Sequence, residues 1–164
     1  MPQNPTSCDS ETGRSLIVYG INDLDQFPDI IESPSRYFVA MLIWDAATVD
    51  ATAITKLARN LIDSGCAYIC CWGDDCERVH DLFDSEWISN GFDPASDDTI
   101  MTTWHTNDSL DDFIHYSLAH TQPTDKYQSD CRTVVAIVFD DAARLSKIKC
   151  IFSDTARFYS AYND

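Results

Sequence analysis

Basic side chains are scarce in this sequence. Eleven lysines and arginines stand against 27 aspartates and glutamates, a net charge of −16, so an unaided approach to a nucleic-acid backbone or an anionic membrane surface would be repelled. Only 5 glycines and 6 prolines occur in 164 residues, which excludes collagen-like and low-complexity chains. The longest apolar runs, such as residues 37–44, reach less than half of the ~20 residues a helix needs to cross a bilayer. The first residues lack the basic start and apolar stretch of a signal peptide. A P-loop, a Gly-x-Ser-x-Gly elbow and a Cys-x-x-Cys pair are also missing.

What is present describes a globular domain. The chain is 45% hydrophobic and 12% aromatic, and one of this length buries roughly 70% of its unfolded surface. Seven cysteines are an odd number, with Cys66, Cys70, Cys71 and Cys76 crowded in and beside one apolar run. That distribution fits reduced thiols in a cytoplasm better than a secreted disulfide framework. Neighbouring Cys70 and Cys71 would leave a strand on opposite faces, so no zinc site is expected. Asp74, Asp75 and Glu77 surround Cys76 with charge that opposes a thiolate, which makes it a packed core residue.

Four runs, residues 37–44, 67–72, 99–104 and 132–139, are short, rich in β-branched or aromatic residues and apolar on both faces, as buried parallel strands are. Helical stripes separate them. Ile54, Leu57, Ala58, Leu61 and Ile62 follow Asp50 and stop at Gly65. Cys76, Val79, Leu82, Phe83 and Trp87 follow the Asp74-Asp75 pair, which would cap that helix, and Leu110, Phe113, Ile114, Ser117 and Leu118 follow Asp108 as cap. The β-α-β-α-β-α-β order predicts an α/β three-layer sandwich around a mostly parallel sheet of four strands. A flavodoxin-like order 2-1-3-4 is favoured because the first and last runs are the most apolar, with the Rossmann-like 3-2-1-4 as the alternative. Ile148, Cys150 and Phe152 alternate with polar residues over 147–153, predicting an antiparallel C-terminal edge strand. Residues 1–36 read as an N-terminal arm with one strand candidate at 16–19, residues 37–153 as the α/β domain and 154–164 as a tail.

Parallel strands deliver their C-terminal ends to one rim, where ligands bind if the strand order reverses. Here those ends read Trp44-Asp45, Trp72-Gly73-Asp74-Asp75, Trp104-His105 followed by Asp108, and Phe139-Asp140-Asp141. Asp45, Trp72, Asp74, Asp75, Trp104, His105, Asp108 and Asp140 are the candidate site residues. The competing interpretation makes these acids helix caps and the tryptophans seals on the core. Asp45, Asp74 and Asp140 are candidates for a hard cation such as Mg²⁺. No Lys or Arg directly follows a strand end, where phosphoryl transfer would need one, and Arg132 begins a strand at the opposite rim. His105 could serve as a general acid or base, although a hydrogen-bonded structural histidine is the commoner case. His80 and His115 flank helical stripes and read as structural or solvated.

Two stretches, CCWGDDCERVHD at 70–81 and MTTWH at 101–105, resemble those of a family of small uncharacterised bacterial α/β proteins. The resemblance spans about residues 37–140. It implies a functional rim but brings no activity, cofactor or catalytic residue with it. The expected function is a non-enzymatic binding or regulatory module whose acidic, aromatic rim engages a basic protein partner or a small ligand, without nucleic acid, membrane or cofactor. The alternative is a small divalent-metal-dependent hydrolase or nucleotide-handling enzyme using Asp45, Asp74 and His105 with Mg²⁺.

Overall fold

The computed structural model describes residues 7–91 and 96–164. A six-stranded sheet is built from β1 (Ser7–Cys8), β2 (Ser15–Ile21), β3 (Tyr37–Ile43), β4 (Cys66–Trp72), β5 (Met101–His105) and β6 (Cys131–Phe139). Helices are α1 (Ala51–Asp63), α2 (Cys76–Ser89), α3 (Leu110–Ala119), the short α4 (Asp125–Gln128), α5 (Ala142–Ser153) and α6 (Thr155–Asn163). The spatial order is β1-β2-β6-β3-β4-β5, parallel throughout except for β1 against β2.

The four expected strands thus lie in the Rossmann-like order 3-2-1-4, not the favoured 2-1-3-4. Strand β2, from the segment read as an arm, pairs with β6 along its whole length from Ser15 to Ile21 and extends the sheet beyond it. The link from β2 to β3 crosses β6 without an α-helix, and Phe27 and Ile31 are buried where a helix would otherwise cover the sheet.

Two cores sandwich the sheet. On one face Ile17, Phe38, Leu42, Cys71 and Ile137 meet Ile54, Leu57 and Leu61 of α1 and Val79 and Phe83 of α2. On the other, Val39, Met41, Cys70 and Val134 meet Phe113 and Leu118 of α3, Ile148 and Phe152 of α5 and Tyr159 of α6. Burial on both faces is why β2, β3, β4 and β6 are apolar without alternation, whereas β5, from the run at 99–104 expected to be buried, is an edge strand with none of its five residues fully buried. Cys70 and Cys71 fall in different cores, as their adjacency in a strand requires.

The predicted antiparallel strand at 147–153 is instead part of α5. Asp141 caps it by accepting from the Arg144 N–H at 2.9 Å, and Leu145, Ile148 and Phe152 form the stripe that faces the second core. Cys150, which made the segment look alternating, is exposed. The antiparallel edge is β1, at the other end of the chain. Gly65 does end α1, at φ 104° and against the Arg36 carbonyl, where a Cβ would overlap. Ser109, not Asp108, caps α3 by accepting from the Asp112 N–H. No helix among the described residues is long and apolar enough to cross a membrane.

Truncating either core should be costly. Leu57→Ala and Phe113→Ala are expected to lose about 2–5 kcal/mol each through lost burial and a cavity, measured as shifts of the urea midpoint. Ile88→Ala, at a side chain 58% exposed, should stay within about 0.5 kcal/mol.

All seven cysteines are free, with Cys8 and Cys150 exposed and the other five buried. Burial pushes the Cys70 thiol up to about 11 and raises Cys71 well above the ordinary thiol value. A thiol-specific chromogenic reagent should therefore titrate two thiols rapidly in the native protein and all seven only after unfolding. Fast native labelling of Cys66, Cys70 or Cys71 would contradict the packing.

Candidate functional site

The strand order reverses between β3 and β6, so the crevice expected in such sheets lies above Ile43 and Phe139. Trp44 and Phe139 stack there with centroids 4.3 Å apart, both almost fully buried, and close the core beneath the rim. Above them Arg144 spans the gap. Its guanidinium donates to Asp45 Oδ2 at 2.7 Å, lies 3.3 Å from Asp141 Oδ2 and sits 4.8 Å from the centroid of the Trp72 ring. The other Asp45 oxygen accepts from the Asp74 N–H at 2.9 Å. Trp72 Nε1 donates to the Asp108 carbonyl, while Asp108 Oδ2 pairs with His105 Nδ1 at 2.6 Å.

A second arginine locks the neighbouring loop. Arg78 Nε donates to Asp75 at 2.6 Å, and its Nη2 donates to the carbonyls of Ala46 and Val49. Asp75 therefore occupies the N-cap position of α2 without capping it by its side chain. Gly73 between these contacts has φ 119°, and a Cβ there would overlap the Trp44 carbonyl. Asp75 (φ 64°) and Asp140 (φ 52°), the two left-handed non-glycine residues among those described, both stand at this rim. Aspartate tolerates that region better than most residues.

The structure gathers Asp45, Trp72, Asp74, Asp75, Asp108 and His105 around the two arginines, and Asp140 follows β6 beside them. Trp104 does not join them. It pairs in register with Cys71, whose side chain enters the α1–α2 core, and its ring, 44% exposed, packs on His80 at 4.4 Å. Strand alternation separates Trp104 from Trp72, which is in register with His105 on the opposite face. The side chain of His105 is 8% exposed, bonded at both nitrogens to Asp108 and Thr103 and packed against Phe113 and Tyr116. That is a structural environment.

The His80 neighbourhood resembles a nucleophile, base and acid in sequence. Thr102 Oγ1 is 2.9 Å from Nε2, and Asp81 Oδ1 is 2.9 Å from Nδ1. Yet Thr102 donates its single proton to Asp84 Oδ1 at 2.8 Å, so that proton is not directed at Nε2 and the trio lacks the nucleophile-to-base hydrogen bond. Among the described residues, no three His, Cys, Asp or Glu side chains form a metal-binding group. Asp45, the first carboxylate proposed for a cation, is already engaged by Arg144.

A family model described as Domain of unknown function (DUF7684) matches residues 20–155. The chain belongs to that family. Comparison with curated proteins gives no match, nor does comparison with solved structures. The DUF7684 match takes in every rim residue and both bracing arginines, while β1, most of β2 and most of α6 lie outside it.

Arg78 and Arg144 are the residues that sequence reasoning missed. Neither directly follows a strand. Each lies one helical turn beyond a rim aspartate, in an Asp-x-x-Arg spacing, and i,i+3 pairing on a helix returns its side chain to the strand ends.

Burial alone would raise the Asp45 carboxyl, but the Asp74 N–H and the Arg144 guanidinium outweigh it and hold the group below its ordinary value. The folded state thus favours the carboxylate. Its contribution is complete above the ordinary carboxylate range and disappears as pH falls through the folded value. Because the pair is partly exposed, Asp45→Asn should cost up to about 1 kcal/mol at neutral pH, and the difference from wild type should vanish in acid, below the folded value of the Asp45 carboxyl. Urea midpoints at both pH values test this; a difference persisting in acid would exclude charge pairing as its source.

Proposed function

We propose that the protein is a non-enzymatic binding module whose rim recognises a basic segment of a protein partner. One observation carries this reading. Six carboxylates at the rim, Asp45, Asp74, Asp75, Asp108, Asp140 and Asp141, share it with two guanidiniums, Arg78 and Arg144, an excess of four negative charges. Both arginines are already consumed as braces, whereas the exposed side chains of Asp74 and Asp140 make no hydrogen bond or ion pair to the described residues. The surface presented to a partner is therefore negative and free to pair. Complementary charge of this kind accelerates encounter and selects partners. Seven free thiols support residence in a reducing compartment such as the cytoplasm.

The test is anisotropy of a fluorescent lysine- and arginine-rich peptide titrated with the protein. Asp74→Asn/Asp140→Asn is expected to weaken binding about tenfold, an effect that shrinks as salt rises. Asp125→Asn/Asp130→Asn removes the same charge from exposed sites near the start of β6 and should change binding much less. Equal losses in both variants would reduce the interaction to net charge and overturn the rim as the recognition surface.

A further inference from the structure

Arg132, at the N-terminal end of β6, has no role at the rim, and it opens onto a different feature. A cavity of about 380 Å³ lies between the turn before β2, the C-terminal end of α3, α4 and the start of β6. Arg14, Arg132, His120, Thr121, Gln122 and Gln128 contribute most of its wall, with Thr12 and Cys131 beside them. None of its lining residues is an aspartate or glutamate, although the chain has 27. The other cavities described are lined by Asp25, by Asp63 and Asp98, or by Asp111.

The two guanidiniums are held by neutral oxygens only. Arg14 is 9% exposed and donates to Thr121 Oγ1 at 2.9 Å and to the Thr121 carbonyl at 2.8 Å. Arg132 donates to the Thr12 carbonyl at 3.2 Å. Neither is in an ion pair among the described residues, unlike Arg59, Arg78 and Arg144. The nearby buried Asp9 accepts from Thr12 and Tyr159 through Oδ2, while its Oδ1 is buried without a hydrogen-bond partner among the described residues. A nearly buried arginine in no ion pair is costly to a fold, a cost that Asp9, which like Arg14 acts on the Tyr159 hydroxyl, offsets in part and a bound anion would offset further. The field of both arginines is felt at the cavity wall: burial pushes the Cys131 thiol up to about 11, and Arg14 and Arg132 pull against that rise. Opposing an anion is the C-terminal end of α3, equivalent to roughly −0.5 charge against two full positive charges.

We propose that this cavity binds a phosphate monoester, its dianionic phosphoryl group held between Arg14 and Arg132. Thr121 fixes the plane of the Arg14 guanidinium, the preorganisation that a forked contact to phosphoryl oxygens needs. His120 adds a third donor. The volume exceeds what a phosphoryl group fills and reaches the range of metabolite-sized pockets, so the organic part of the ligand would lie against Gln122 and Gln128.

Calorimetric titration with inorganic phosphate, glycerol 3-phosphate and malonate tests this. Both phosphoryl probes are expected to bind, glycerol 3-phosphate more tightly, and malonate much more weakly. Arg132→Gln, at a side chain with one carbonyl contact, should keep the melting temperature near wild type while weakening glycerol 3-phosphate at least about tenfold. Arg14→Gln should weaken it further where that variant folds. Asp74→Asn/Asp140→Asn should leave it unchanged, which separates this site from the rim. Malonate binding as tightly as phosphate would overturn phosphoryl recognition. Unaltered affinity in Arg132→Gln, or no heat from either phosphoryl probe at millimolar concentration, would overturn the site.

Discussion

The parallel pairing of β3 with β6 is the constraint from which the rest of the molecule follows. These two strands are distant in sequence, and each is covered on both faces by helices or by the β2–β3 link. Their pairing closes the sheet's centre and fixes where strand order reverses. It also brings Asp45 and Asp141, nearly one hundred residues apart, within reach of one arginine. The Trp44–Phe139 stack seals that junction from inside, and the Arg144 brace ties it from outside. The floor of the rim is therefore made of core packing, and its geometry should persist as long as the sheet does.

Charge at the rim is organised in two layers. The inner layer pairs Asp45 and Asp141 with Arg144, Asp75 with Arg78 and Asp108 with His105. Partly exposed pairs of this sort contribute little individually to stability, about 0–1 kcal/mol, but with the hydrogen bonds of Arg78 to Ala46 and Val49, of Asp74 to Asp45 and of Trp72 to Asp108 they connect the loops after β3, β4, β5 and β6. The outer layer, Asp74 and Asp140, has no such structural employment. Only the outer layer is free to pair with a group that approaches the rim.

Much of the architecture was legible because the interior imposes a period. Strands buried on both faces appear as unbroken apolar runs, and the stripes of α1, α2 and α3 show the helical period with their stops. The failures share a physical cause. In α5 the stripe of Leu145, Ile148 and Phe152 was masked by Cys150, an exposed residue that counted as apolar and counterfeited alternation. Strand order depends on which strands a crossover skips, and the link across β6 carries too little regular structure to reveal it. At the rim, the acids could be placed by their position after strands, whereas their partners lie one turn into helices. Trp104 was misplaced by a single step of strand alternation, which no composition argument resolves.

Helix α3 connects the two charged ends of the molecule and explains part of their polarity. Its N-terminal turn carries Asp111 and Asp112 next to Asp108, while its C-terminal end meets His120 and the Arg14 contact to Thr121. Acids at the positive end and bases at the negative end are favourable for the macrodipole, worth typically 0.3–1 kcal/mol per charge at an exposed surface. That accounts for His120 at the helix terminus. It does not account for Arg14, which is nearly buried and whose bonds go to neutral oxygens of one threonine. Nor can the distant rim supply a counter-charge: ten helical residues span roughly 15 Å, about twice the ~8 Å Debye length at physiological ionic strength. The charge of Arg14 has to be balanced locally, in part by the buried Asp9, and the cavity wall itself contains no acid, so the side of the guanidinium field that reaches the cavity is left for an anion.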